Sequence, residues 1–114
     1  MRLLPPGLAA AALLAATTVH ADAPATVTLV LKDHHFTPST FSAPAGQKLR
    51  IVLINQDTAT EEFDSHDLKV EELVTPNGKV SFNIGPLKPG TYSFMGEFHA
   101  ATAQGRVTAV EAKD

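Results

Sequence analysis

Short apolar runs of period two, each bounded by proline- or glycine-bearing turns, constrain this chain more than any other feature. Residues 26–31, TVTLVL, put Val27, Leu29 and Leu31 on one face. Residues 79–84, KVSFNI, do the same with Val80, Phe82 and Ile84. Residues 49–54, LRIVLI, are apolar on nearly both faces and read as a central strand. Residues 91–95 and 106–110 continue the pattern. Pro44-Ala45-Gly46, Pro76-Asn77-Gly78 and the stretch Gly85-Pro86-Leu87-Lys88-Pro89-Gly90 supply the turns. The prolines fall between the runs, where a missing N–H costs no ladder bond. About seven strands at this spacing predict an all-β sandwich or barrel. Residues 66–74, HDLKVEELV, break the alternation and are expected to form a short helix or an irregular connection.

The first 21 residues, MRLLPPGLAAAALLAATTVHA, have a different character. One early charge at Arg2, an apolar run from Leu3 to Ala16, and the small-x-small sequence Val19-His20-Ala21 match a cleaved signal peptide. The run falls short of the roughly 20 apolar residues a membrane span needs. The expected domains are therefore a signal peptide, 1–21, and a single exported domain, 22–114, with no membrane insertion after cleavage. Without Arg2, eight basic groups face twelve acidic ones. That balance gives no basic patch for nucleic acid. There is no cysteine, so no disulfide supports the exported domain, and its core alone must hold it.

No hydrolase or phosphate-binding constellation is present: no Ser-His-acid frame, no glycine-rich phosphate loop, no His-Glu-x-x-His. The chain is read as no enzyme of its own, with assisted iron oxidation beside a partner left open. The chemistry-bearing residues collect in two segments. One is TEEFDSHD, with Glu61, Glu62, Asp64, His66 and Asp67; the other is YSFMGEFH, with Met95, Glu97 and His99. Strand alternation puts Glu61 and Phe63 inward, with Glu62, Asp64 and His66 outward. It likewise puts Tyr92, Phe94 and Gly96 on the core face and Met95 and Glu97 on the other. His34-His35 follows an apolar strand and reads as an exposed strand end, because adjacent residues diverge.

The order of these signals resembles the cupredoxin family over about residues 26–111. FTPSTFSAPAGQKLRIVLINQD looks like that family's first half, and GPLKPGTYSF like its second. The resemblance implies a cupredoxin-like Greek-key β-sandwich of seven to eight strands. It also aligns the family's copper ligands with Glu61, Gly96, His99 and the neighbourhood of Ala103 or Gln104, so the cysteine position holds glycine. A blue-copper site depends on a copper–thiolate bond in a His₂Cys arrangement, and ordinary blue-copper electron transfer is therefore not expected.

EEFDS and GEFH…TAQG further resemble cupredoxin-like domains of EfeO type, found in bacterial periplasmic proteins associated with iron or copper uptake. That resemblance implies metal contacts at Glu61, Glu62, Glu97 and His99, with Met95 and Asp64 as further candidates. It implies a copper or iron ion as cofactor, a periplasmic location, and a membrane iron permease or periplasmic redox protein as partner. Two placements of the metal stay open. One is the former copper position, built from Glu61 and His99; the other is the outer face, built from Glu62, Asp64, Met95 and Glu97. Three functions follow: an accessory to ferrous iron uptake or oxidation, a non-blue copper electron-transfer protein, or a metal-free interaction module.

Overall fold

The computed structural model of the protein describes residues 24–112; the expected signal peptide, 1–21, lies outside them. Nine strands follow in order: β1 (Ala25–Lys32), β2 (His35–Thr37), β3 (Thr40–Pro44), β4 (Leu49–Asn55), β5 (Glu61–Ser65), β6 (Val70–Val74), β7 (Lys79–Ile84), β8 (Gly90–Gly96) and β9 (Gln104–Val110). One short 3-10 turn, Glu97–His99, lies between β8 and β9. Among the described residues no helix is long and apolar enough to cross a membrane.

The strands form two sheets, ordered β2-β1-β4-β7 and β3-β9-β8-β5-β6. Two neighbouring pairs are parallel, β1 with β4 and β3 with β9; the others are antiparallel. The described residues form an all-β sandwich of nine strands, one more than the upper expectation. The added strands are short. β2 has three residues and turns Phe36 into the core. Pro44 stands on β3, an edge strand paired only with β9, where its missing donor leaves no ladder bond unmade.

Residues 66–74 are the clear departure from expectation. They form no helix: a turn, with Lys69 at φ +59°, leads into β6, which pairs with β5 from Glu61↔Val74 to Ser65↔Val70. The two adjacent glutamates at 71 and 72 hide the period of a strand. Pairing with β5 decides the matter, because strand preference depends on the neighbour more than on the residue.

Leu29, Leu31, Leu49, Ile51, Leu53, Val74 and Val107 fill the interior between the sheets. An aromatic cluster closes one end. Phe63 stacks on Phe94 with ring centres 4.8 Å apart, and Phe36 meets Phe94 edge-on at 5.2 Å. Such pairs contribute about 0.5–1.5 kcal/mol beyond the area they bury. Phe63 sits between Glu61 and Ser65 on β5, so the same alternation that buries its ring turns Glu61 inward. Core packing therefore determines where the acid goes.

Candidate metal centre

Glu61 opens β5 and is only 1% exposed. A buried carboxylate needs partners, and this one has three. Its Oε1 accepts the backbone N–H groups of Phe98 at 2.8 Å and Glu62 at 3.0 Å, and its Oε2 meets Nδ1 of His99 at 2.7 Å. Phe98 and His99 are presented by the 3-10 turn. That turn is held by the bond from Gly96 N–H to the Ala103 carbonyl, 2.8 Å, and from Ala103 N–H to the His99 carbonyl, 2.9 Å.

Gly96 owes its identity to the same acid. A Cβ there would lie 2.7 Å from both Cδ and Oε2 of Glu61 and 2.8 Å from the Cβ of Ala103. The volume that a thiolate side chain would fill at this position holds a carboxylate.

The third member of the cluster is His34, expected from the sequence at an exposed strand end. Asp33 and His34 form a two-residue hairpin between β1 and β2, with Lys32 opposite His35. Both adopt left-handed backbone, φ +51° and +61°. Such turns favour Asn-Gly, and a histidine there carries steric cost. Asp57 offsets it: Oδ1 accepts Asp33 N–H at 2.7 Å and Oδ2 accepts His34 N–H at 3.0 Å. Burial pushes the Asp57 carboxyl up, but those two backbone donors, aided by the charges of His34 and Lys32, hold it below its ordinary value. Asp57 is itself placed by buried Asn55, whose Oδ1 accepts Asp57 N–H at 2.9 Å and whose Nδ2 donates to the carbonyls of Ala59 and Thr75.

This hairpin lays the His34 ring on the ring of His99, centres 3.6 Å apart and planes 9° from parallel. Donor atoms of His34, Glu61 and His99 all lie within 4.8 Å of one another. His35, one residue on, bonds back to the Asp33 carbonyl and stays exposed, so the two adjacent histidines do diverge. A histidine where a hairpin wants glycine was the available signal for His34.

On the outer face of β5, donor atoms of Glu62, Asp64 and Glu97 form a second group within 4.8 Å. Met95 pairs with Asp64 across β5 and β8 but is 37% exposed. Partial burial raises the Glu62 carboxyl, and the carboxylates of Glu97, Glu71, Asp64 and Glu61 raise it further. His66 stands just past the opposite end of β5 from Glu61 and joins neither group.

The donor set does not fit blue copper. There is no cysteine, and Glu61 occupies the space a Gly96 side chain would need. Two imidazoles and carboxylates suit borderline or hard ions such as Cu(II), Fe(II), Fe(III) or Zn(II).

A two-sheet sandwich with imidazole and carboxylate gathered beside its last two strands defines a cupredoxin-fold protein lacking the sulfur ligand. The chain belongs to the cupredoxin-like domain family, whose model matches residues 7–109. It is 43% identical over 79 residues to an uncharacterized protein of Rickettsia prowazekii; the match covers 69% of this chain and 63% of the relative's length. The fold is similar to that of auracyanin B, with a TM-score of 0.67 and 18% identity over 81% of this chain and 94% of the other. It is also similar to the reduced auracyanin of Roseiflexus castenholzii, TM-score 0.62 and 16% identity over 78% and 99% of the two chains. The metal-binding domain of the Cu(I)-exporting P-type ATPase CopA of Streptococcus pneumoniae, solved with Cu(I), gives a TM-score of 0.62 and 13% identity over 75% and 85%.

Proposed function

We propose that this protein is a periplasmic metal-binding protein that takes copper or iron at the end of the sandwich and serves as an accessory to metal uptake or oxidation. The observation that carries the reading is the convergence of His34, Glu61 and His99 from three separate turns and strands. Core packing gives no reason for a left-handed histidine to stack on a second histidine held by a buried acid. The rings are partly open to solvent, with His34 and His99 side chains 40% and 28% exposed, so an ion has a way in. The outer group, Glu62, Asp64 and Glu97 with Met95 nearby, is a second place for a cation, and its mutual repulsion favours one.

Copper binding in a structural neighbour and the signal-like character of residues 1–21 support the metal and the compartment. The likeness to EfeO-type domains extends the reading to ferrous iron and to a membrane permease as partner.

Calorimetric titration of Fe(II), Fe(III), Cu(I) and Cu(II) into the protein tests this. We expect at least one of these ions to bind, and to bind more weakly to the His34→Ala/His99→Ala variant. Equal binding by both proteins, or none by either, removes the proposal.

A further inference from the structure

Glu61 and Asp57 share a geometric role that the metal-binding reading does not by itself require. Each carboxylate takes backbone N–H groups and also faces the Nδ1 atom of one histidine, His99 at 2.7 Å and His34 at 3.4 Å. A carboxylate has no proton to give, so the proton in the His99–Glu61 bond belongs on Nδ1, and the charge of Asp57 draws the His34 proton to the same nitrogen. In a neutral ring that leaves the lone pair on Nε2.

We propose that the ligand atoms of the centre are Nε2 of His34 and Nε2 of His99, and that Glu61 and Asp57 are positioning residues rather than ligands. This inference rests on the metal-binding reading and assigns roles within that site. Phe98 and Glu62 fill Oε1 of Glu61 and His99 faces Oε2, so of the roughly four lone-pair sites of the carboxylate one is left, on Oε2. An ion at that last site would sit against the same oxygen that holds His99 Nδ1 at 2.7 Å and would weaken that bond inside a site almost closed to water. Orienting a ligating imidazole through its other nitrogen needs no such loss and makes the ring more basic. Asp57 fixes the hairpin that carries His34 and sets its charge 3.4 Å from the ring's Nδ1, an ion-pair contact longer than the one at His99.

One consequence distinguishes this arrangement from a preformed cage. Imidazole lone pairs lie in the ring plane, and two planes 3.6 Å apart and 9° from parallel bring theirs to no common point. A shared ion therefore requires the stack to open, each ring turning while its Nδ1 keeps its carboxylate. The site is poised, and the ion supplies the closing contact.

The test is long-range ¹H–¹⁵N NMR of the histidine rings, first in metal-free protein and then with Zn(II) as a diamagnetic probe. In the free protein both His34 and His99 should show a protonated Nδ1 and a bare Nε2. On adding Zn(II), both Nε2 resonances should move to coordinated values while both Nδ1 atoms stay protonated. The Glu61→Gln variant is isosteric, and its amide can donate to Nδ1; His99 should then move its proton to Nε2 and zinc affinity should fall about 10–100-fold, although no proposed ligand has been removed. Zinc that binds through Nδ1 of His99, or without His34, overturns this assignment and leaves the metal-binding reading standing. A Glu61→Gln variant that keeps the wild-type tautomer and affinity also overturns it. If Zn(II), Cu(I), Cu(II), Fe(II) and Fe(III) all leave the ring nitrogens unmoved, both the assignment and the reading beneath it fall.

Discussion

The rings of His34 and His99 lie face to face with centres 3.6 Å apart, although one belongs to the hairpin of the first sheet and the other to the turn that follows β8 in the second. The contact links the two sheets at the end where the loops gather. An ion held by both rings would bind the folded chain and not the unfolded one. Stability should then rise with metal concentration, by about 2.7 kcal/mol at a hundredfold excess over the dissociation constant. Thermal unfolding with Cu(II) should show this shift in the wild-type protein. Either single variant, His34→Ala or His99→Ala, should lose most of it; without metal His34→Ala should unfold at nearly the wild-type temperature, whereas His99→Ala, which takes a partner from buried Glu61, should unfold at a lower one.

Gly96 and Glu61 compete for one volume. An alanine Cβ at 96 would stand 2.7 Å from the Glu61 carboxyl carbon, a distance real side chains do not tolerate. Gly96→Ala should destabilise the fold by about 1–3 kcal/mol, the usual cost of overpacking. The cost should shrink when Glu61 is also shortened to alanine, because the carboxylate is then gone. It should not vanish, since Ala103 stands 2.8 Å away as well. Urea unfolding of the two single variants and the double variant measures that coupling.

What the sequence discloses follows from what is local. The alternation in residues 26–31 and 79–84 and the apolar run at 49–54 name three strands, because each run carries the residues of its own buried face. Glu61 inward and Glu62 outward were readable for the same reason, with Phe63 setting the phase of β5. β6 was not readable, because VEELV is a strand only by virtue of β5 beside it. His34 escaped for a related reason. Its approach to His99 depends on how β1 and β8, in different sheets, are brought together at one end, and no spacing along the chain records that. Its left-handed backbone leaves only an indirect trace, a missing glycine in a tight hairpin.

The outer acidic group has its own titration signature. Glu62 is raised by partial burial and then by Glu97, Glu71, Asp64 and Glu61. A carboxyl whose folded value is raised favours the folded state below its unfolded value, and that contribution is lost as pH climbs through the folded value. Removing one neighbour relieves the repulsion. Glu97→Gln should therefore lower the Glu62 midpoint toward the ordinary glutamate range, read from side-chain carboxyl ¹³C shifts. It should also stabilise the protein more at neutral pH than in acid.

Asp67 runs the other way. Its Oδ2 accepts the Ser93 backbone N–H at 3.0 Å and the Ser93 hydroxyl at 3.1 Å, which fastens the turn after β5 to β8. Those two bonds, backbone first, outweigh desolvation and with help from His66 hold the carboxyl below its ordinary value. A depressed folded value means that the stabilisation is present above the unfolded carboxylate value and disappears as pH falls through the folded one. Asp67→Asn should be less stable than wild type at neutral pH, and the two should converge in acid, once Asp67 is protonated in both folded and unfolded chains. Urea unfolding of both proteins at pH values on either side of the carboxylate range measures the gap. A gap that stays constant with pH would mean that the bonds to Ser93 do not depend on the charge of Asp67.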